Sequence, residues 1–271
     1  MEQHQAGRLE DSRVVAQERV GDDYRRLTLR APGVATSARP GQFVHLRVPG
    51  LDAHLLRRPF SMYRITGSDV LLLYKTVGAG TRAMNELKPG DTVSLMGPLG
   101  RGFPLDRAGT PLLIGGGYGA APLSFLAERL PRKGLVFLGG RTASDVLGLE
   151  DFKRLGWPVE IATEDGSLGT TGLVTAVLDR WLDAHGKSDA PELFACGPDG
   201  MLKALAQRAV KRGLTAWLSM DRHMGCGAGV CLACVIRVRK PEGGGEAWSR
   251  VCKDGPVFEA REIVWEGEAP A

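Results

Sequence analysis

Cys226-Gly-Ala-Gly-Val-Cys231-Leu-Ala-Cys234 spaces three cysteines as C-x4-C-x2-C, and Cys252 follows eighteen positions later. This is the spacing of plant-type [2Fe–2S] loops. Each iron of such a cluster takes two thiolates, and one loop supplies three of the four only if its backbone curls around the inorganic sulfides with amides turned inward. Gly225, Gly227 and Gly229 suit that curl, because glycine reaches positive φ and allows close backbone approach. Three alternatives stand beside this reading. Structural zinc also takes four cysteines, but commonly from two C-x2-C pairs where this chain has one. Disulfides need an oxidising compartment, and nothing in the sequence points to export. Four unrelated buried thiols are the third.

The chain has 271 residues, more than one ordinary core organises, which predicts two or three domains. With 43% hydrophobic and 24% charged residues it has material for real cores. The first residues are polar, and no run approaches the ~18–20 apolar residues of a membrane span, so the expectation is a cytoplasmic protein with no membrane partner. Basic residues number 35 against 31 acidic, the signs are interspersed, and aromatics are 6%, which speaks against a nucleic-acid face. The histidines (His4, His45, His54, His185 and His223) are scattered and are expected to be surface or structural.

Residues 13 to 106 read as short strands. Arg25–Arg30, Phe43–Val48 and Val70–Tyr74 are divided by Pro-Gly turns, which predicts a small antiparallel barrel. Within it, Arg57-Arg58-Pro59-Phe60-Ser61 places cations and a hydroxyl on a stiffened backbone, suited to a phosphate and a planar polar ring. Val77-Gly78-Ala79-Gly80-Thr81 leads into a helix start whose amides favour a pyrophosphate. A solvated turn and a simple helix cap are the respective alternatives. After Asp106 the period changes. Strands at Thr110–Ile114, Leu135–Leu138, Val159–Thr163 and Glu192–Ala195 alternate with helices at Leu123–Leu130 and Leu173–Ala184, predicting a doubly wound parallel sheet. Gly115-Gly116-Gly117-Tyr118-Gly119 runs toward Pro122 at one strand end, and Cys196-Gly197-Pro198 occupies another, where ligands of such sheets belong. The glycines do not form a G-x-G-x-x-G fingerprint. From Leu218 onward the cysteine loop, a strand at Val235–Val238 and short apolar runs make a module of about fifty residues, expected to be held together by its cluster.

In this order, the Arg-Pro-x-Ser barrel, the Gly-Gly-Gly-x-Gly-x-x-Pro sheet and the Cys-Gly-Pro strand end resemble the ferredoxin–NADP reductase superfamily over roughly residues 10 to 215. The cysteine module with Arg250-Val251-Cys252-Lys253-Asp254-Gly255-Pro256-Val257-Phe258 narrows the resemblance to the electron-transfer subunits of two-subunit, NAD-dependent dihydroorotate dehydrogenases. The long spacer carrying Gly243-Gly244-Gly245 before Cys252 departs from that pattern.

The resemblance implies a flavin-binding barrel over residues 1–106, a nucleotide domain over 107–217 and a [2Fe–2S] module over 218–271. By it, Arg58, Pro59, Phe60 and Ser61 line FAD, Leu73, Tyr74 and Lys75 flank it, and Gly80 and Thr81 hold its pyrophosphate. Gly115, Gly116, Gly117, Gly119, Pro122, Cys196, Gly197 and Pro198 take NAD(H), with Ser61 and Cys196 nearest the chemistry. Cys226, Cys231, Cys234 and Cys252 ligate the cluster. The implied partner is a catalytic subunit carrying FMN, in a heterotetramer of two of each chain. Apart from the resemblance, Val230, Leu232 and Phe258 are apolar residues near the cysteine loop and candidates for that contact, with burial inside the module the alternative for Phe258. A small subunit of a ferredoxin-dependent transhydrogenase, a sulfide dehydrogenase or a hydrogenase-type complex is the alternative. The cofactor order has a physical reason: NADH gives up two electrons as hydride, the cluster carries one, and flavin converts between them.

Overall fold

The computed structural model describes residues 7–50, 56–185, 190–240 and 244–265. The first unit contains β1 (Arg8–Arg19), β2 (Tyr24–Arg30), α1 (Pro32–Ala35), β3 (Phe43–Arg47), β4 (Arg58–Thr66), β5 (Asp69–Lys75), α2 (Ala79–Asn85) and β6 (Thr92–Leu99). Its strands close into an antiparallel barrel in the order β1-β2-β5-β4-β3-β6. Leu27, Leu29, Val44, Leu46, Met62, Leu72 and Leu95 fill the interior. Burying side chains of this kind contributes about 1.5–3 kcal/mol each relative to exposure.

Two barrel elements differ from the sequence reading. β1 begins at Arg8 rather than near Arg13, and of its twelve residues only Ser12 and Val14 are buried. It is held by pairing with both β2 and β6, which closes the barrel through backbone groups and leaves little apolar alternation to read. The Arg58-Pro59 pair is not a turn. It opens β4, with Pro59 opposite His45 near the strand start, where proline's missing N–H is tolerated.

The remaining elements are β7 (Thr110–Gly116), α3 (Ala120–Arg129), β8 (Leu135–Gly140), α4 (Leu149–Arg154), β9 (Val159–Thr163), β10 (Thr170–Thr171), α5 (Val174–His185), β11 (Pro191–Cys196), α6 (Asp199–Arg212), β12 (Thr215–Ser219), β13 (Val235–Arg239), β14 (Glu246–Arg250) and β15 (Val257–Glu259). Seven of these strands form one sheet in the order β10-β9-β8-β7-β11-β12-β15, parallel except where β15 joins β12. Helices on both faces explain why β11 is buried at all six positions and reads as an unbroken apolar run. Strand order reverses between β7 and β11, which opens a crevice at their carboxyl ends.

The C-terminal module is not held by a cluster alone. Ile236, Val238, Val251, Phe258, Ala260, Ile263 and Trp265 share one core with Leu112, Ile114, Leu193 and Leu218 of the sheet. Its hairpin of β13 and β14 turns through residues that include Gly244 and Gly245, while 241–243 lie outside the described residues.

Candidate functional site

The barrel segments separate by task once folded. Arg57 donates from Nη1 to the Ser94 carbonyl at 2.8 Å and from Nη2 to the Ser94 hydroxyl at 2.9 Å, so it ties the head of β4 to β6. Arg58 instead lies against Gly80: a Cβ built on that glycine would stand 2.5 Å from Arg58 Nε. The strand and the glycine loop, some twenty residues apart in sequence, are thereby brought together. The Thr81 hydroxyl accepts from the amides of Val77 at 2.9 Å and Gly78 at 3.1 Å, which holds the loop in shape from beneath. Phe60 meets Tyr74 edge to face at 5.8 Å, and Tyr74 accepts from Gln17 Nε2 at 2.6 Å while donating to Asn85 at 3.0 Å. Tyr74 therefore faces the barrel interior, whereas Leu73 and Lys75 face the sheet domain. Ser61 is half-buried opposite Phe43.

At the crevice, the glycines of β7 and the end of β11 interlock. Cys196 pairs with Gly115 across the sheet. A Cβ on Gly119 would come within 2.2 Å of the Cys196 carbonyl oxygen, and one on Gly116 within 2.9 Å of Pro198 Cδ. Only backbone without side chains lets the two strand ends approach this closely. Pro122 sits in the first turn of α3, where its absent N–H costs no helix bond. Burial pushes the Cys196 thiol up to about 12, partly offset by Ser219 beside it, so it is a neutral contact group rather than a thiolate. Tyr118, half exposed above the glycines, donates to Asp221 at 3.4 Å.

A cleft of about 380 Å³ opens between the barrel and the sheet domain, lined by Asp22, Asp23, Tyr24, Lys75, Arg141, Thr142, Ser144 and Asp145. Asp145 accepts from the Tyr24 hydroxyl at 2.7 Å and from Lys75 at 3.3 Å, and Arg141 reaches its other oxygen at 3.4 Å. Desolvation raises the Asp145 pKa, but the bonds from Tyr24 and Lys75 outweigh it and hold the carboxyl below its usual range. Tyr63 with Asp151 and Arg64 with Glu128 make a second polar seam between the barrel and helices α3 and α4. The sequence reading missed these seams, since nothing local marks Tyr24 as the partner of Asp145.

The four cysteines fall into two pairs. The Cys231 amide donates to Cys226 Sγ and the Cys226 amide to Cys231 Sγ, each at 3.4 Å, and the Cys252 amide donates to Cys234 Sγ at 3.4 Å. Ala228 and Val230 also turn their amides to Cys226 Sγ at 3.4 Å. Although desolvation raises the Cys226 thiol, these backbone donors more than offset it and bring it down to about 6. Burial and the neighbouring Cys234 push Cys252 up to about 12. Among the described residues no three of His, Cys, Asp and Glu converge on a single ion. Two thiol pairs with inward amides are instead the donor set of a two-iron cluster, which spreads its ligands over both irons. Gly227 and Gly229 have φ of 67° and 79°. Gly225 does not have positive φ. It is needed for space, because a Cβ there would lie 3.1 Å from Cys231 Sγ. Arg250 clamps the two cysteine segments, reaching the Gly229 carbonyl at 3.2 Å and both Asp254 oxygens at 2.8 and 3.0 Å. Val230 and Leu232 are exposed at 79% and 58%, while Phe258 is buried in the shared core and unavailable as a contact surface.

Comparison with known proteins agrees with this geometry. Residues 11–103 match an oxidoreductase FAD-binding domain, and residues 221–264 match the iron-sulfur cluster binding domain of dihydroorotate dehydrogenase B. The chain is 42% identical over 259 residues to the dihydroorotate dehydrogenase B (NAD(+)) electron transfer subunit of Geobacillus thermodenitrificans, covering 93% of this chain and 96% of that one. To the protein of the same name from Desulforamulus reducens it is 36% identical over 262 residues, 94% and 98% of the two chains. Among solved structures, an NADH-dependent reduced ferredoxin-NADP oxidoreductase is similar with a TM-score of 0.82 and 28% identity over 94% of this chain and 90% of that one. A cytochrome P450 reductase of Amycolatopsis is similar with a TM-score of 0.62 and 27% identity over 76% and 67%. With a barrel, a switch-point crevice and a paired-cysteine loop in one chain, and relatives matching along nearly all of it, the chain belongs to the family of dihydroorotate dehydrogenase B electron transfer subunits.

Proposed function

We propose that this chain exchanges a hydride with NAD(H) and passes electrons singly to or from the FMN of a catalytic dihydroorotate dehydrogenase subunit in pyrimidine biosynthesis, from FMN to NAD⁺ when dihydroorotate is oxidised. Bound FAD supplies the conversion from two-electron to one-electron transfer, and a [2Fe–2S] cluster supplies the one-electron carrier. One juxtaposition carries the reading. The cysteine loop rests on β3 through Gly227 and His45, and β3 pairs directly with β4, which begins Arg58-Pro59-Phe60-Ser61. The cluster loop is thus one strand away from the flavin strand.

In this reading Arg58, Pro59, Phe60 and Ser61 with Leu73 and Lys75 border the flavin, Tyr74 backs Phe60 from inside the barrel, and the first turn of α2 at Gly80 and Thr81 receives the pyrophosphate. Gly115, Gly116, Gly117, Gly119, Pro122 and Cys196-Gly197-Pro198 form the floor for the nicotinamide. Cys226 with Cys231 and Cys234 with Cys252 take one iron each. The functional units are 1–106, 107–217 and 218–271, although the last two share a core. The working assembly is a cytoplasmic heterotetramer of two of each chain. All five cysteines are unpaired, as a reducing compartment allows, and no helix among the described residues is long and apolar enough to cross a membrane.

The test is NAD⁺-dependent dihydroorotate oxidation by the purified chain mixed with a catalytic subunit, with iron, sulfide and FAD measured on the same sample. Restored turnover supports the reading. The likeness to a ferredoxin-NADP oxidoreductase favours a second reading, a subunit working with ferredoxin. Reduction of ferredoxin without any dihydroorotate turnover would select it.

A further inference from the structure

His45 lies in the barrel wall on β3 with no exposed surface, and neither ring nitrogen has a hydrogen-bond partner among the described residues. An unpartnered buried polar group is destabilising, and no group among the described residues of the barrel offsets it. The ring's Nδ1 edge faces out of the barrel toward Gly227. A Cβ there would stand 2.4 Å from Nδ1 and 3.1 Å from both Cε1 and Cγ. The ring therefore sits against the residue that follows the first cysteine of the loop.

Gly227 is the link between Cys226 and the Ala228 amide. Its φ of 67° turns the chain so that Ala228, Val230 and Cys231 all donate to Cys226 Sγ. Hydrogen bonds to cluster sulfurs are one of the main determinants of cluster potential. Resting on the assignment of the cysteine loop to a [2Fe–2S] cluster, we propose that His45 is a positioning residue: its ring seats Gly227, sets the amide fan at Cys226 Sγ and thereby tunes the cluster's reduction potential. It touches neither nucleotide nor cluster sulfur in this role and acts through the loop backbone.

The experiment uses the full chain with its cofactors. Iron, acid-labile sulfide, the electron paramagnetic resonance spectrum of the reduced cluster and its midpoint potential are measured for wild type, His45→Phe and His45→Gln. His45→Phe fills the space without polar atoms and is expected to retain cluster while altering the spectrum and shifting the reduced-to-oxidised ratio at fixed potential by roughly tenfold, which is 59 mV for one electron. His45→Gln, which keeps a polar group toward the loop, is expected to return both values toward wild type. A cluster-replete His45→Phe chain with wild-type spectrum and potential would overturn the inference. Should His45→Phe yield no folded chain, Gly227→Ala decides. Alone it is expected to lose cluster, and adding His45→Ala is expected to restore part of the iron and sulfide by removing the collision. No restoration in the double variant counts against the proposal. An unmodified chain lacking iron and sulfide would instead overturn the cluster assignment itself.

Discussion

At the scale of single residues, the paired cysteines and the crevice glycines make separable predictions. Serine at Cys226, Cys231, Cys234 or Cys252 removes one thiolate from a pair, and each variant is expected to lose iron and sulfide measured against protein. Cys196→Ser is expected to keep both, because its thiol is buried at the switch-point crevice and forms no part of either pair. Gly119→Ala forces a Cβ to within 2.2 Å of the Cys196 carbonyl, so β11 or the glycine loop must shift. The expected cost is about 1–3 kcal/mol of stability, as for other overpacked sites, together with a raised KM for NADH. Thermal unfolding and steady-state kinetics read the two effects, and an unchanged KM would count against the crevice as the nucleotide floor.

At the scale of elements, Asp145 joins the turn after β8 to Tyr24 on β2 and Lys75 on β5. Its pKa is depressed in the folded chain, because those donors outweigh the opposing effect of burial. A carboxyl depressed on folding adds stability above its unfolded pKa, and that contribution disappears as pH falls through the folded value. Asp145→Asn is therefore expected to be less stable than wild type by about 1–3 kcal/mol at neutral pH. The gap should close as pH falls below the ordinary aspartate value of about 4. Denaturant unfolding at neutral and acid pH measures this, and a gap independent of pH would refute it. Element legibility followed the same physics. β11 and β7 are legible because both faces are buried, whereas the first residues of β1 are not, because backbone pairing holds them beneath a charged sequence. Helix α6, absent from the expected element order, carries Leu202, Leu205, Ala206 and Ala209 at helical spacing, a period the sequence contains.

At the scale of the whole molecule, the chain has a barrel, a crevice at the switch point of the sheet and an exposed cysteine loop. It is expected to reduce dyes with NADH yet leave dihydroorotate untouched without a second subunit. Turnover by the isolated chain would refute the relay. NADH, the proposed donor, is expected to outpace NADPH in flavin reduction. A clear preference for NADPH would overturn this. The exit is expected at Val230 and Leu232, which stand exposed beside Cys231. Leu232→Glu should weaken the complex by about 2–5 kcal/mol through a buried unpaired charge, with NADH-to-dye rates nearly unchanged, and a binding titration with the catalytic subunit measures it.

The sequence by itself determined what contiguous residues encode. The C-x4-C-x2-C loop, the glycine run at a strand end and the switch from strand alternation to strand–helix alternation each rest on chemistry within a few positions. Tertiary structure alone decided which cation serves which strand, with Arg57 bound to Ser94 and Arg58 set against Gly80. It also decided that β15 joins the parallel sheet and gives the cysteine module an apolar core of its neighbours' making. Tyr24 and Asp145 meet across 121 positions, and His45 meets Gly227 across the whole nucleotide domain. Contacts of that range leave no local period or spacing, so they exist only once the barrel and the sheet have closed on each other.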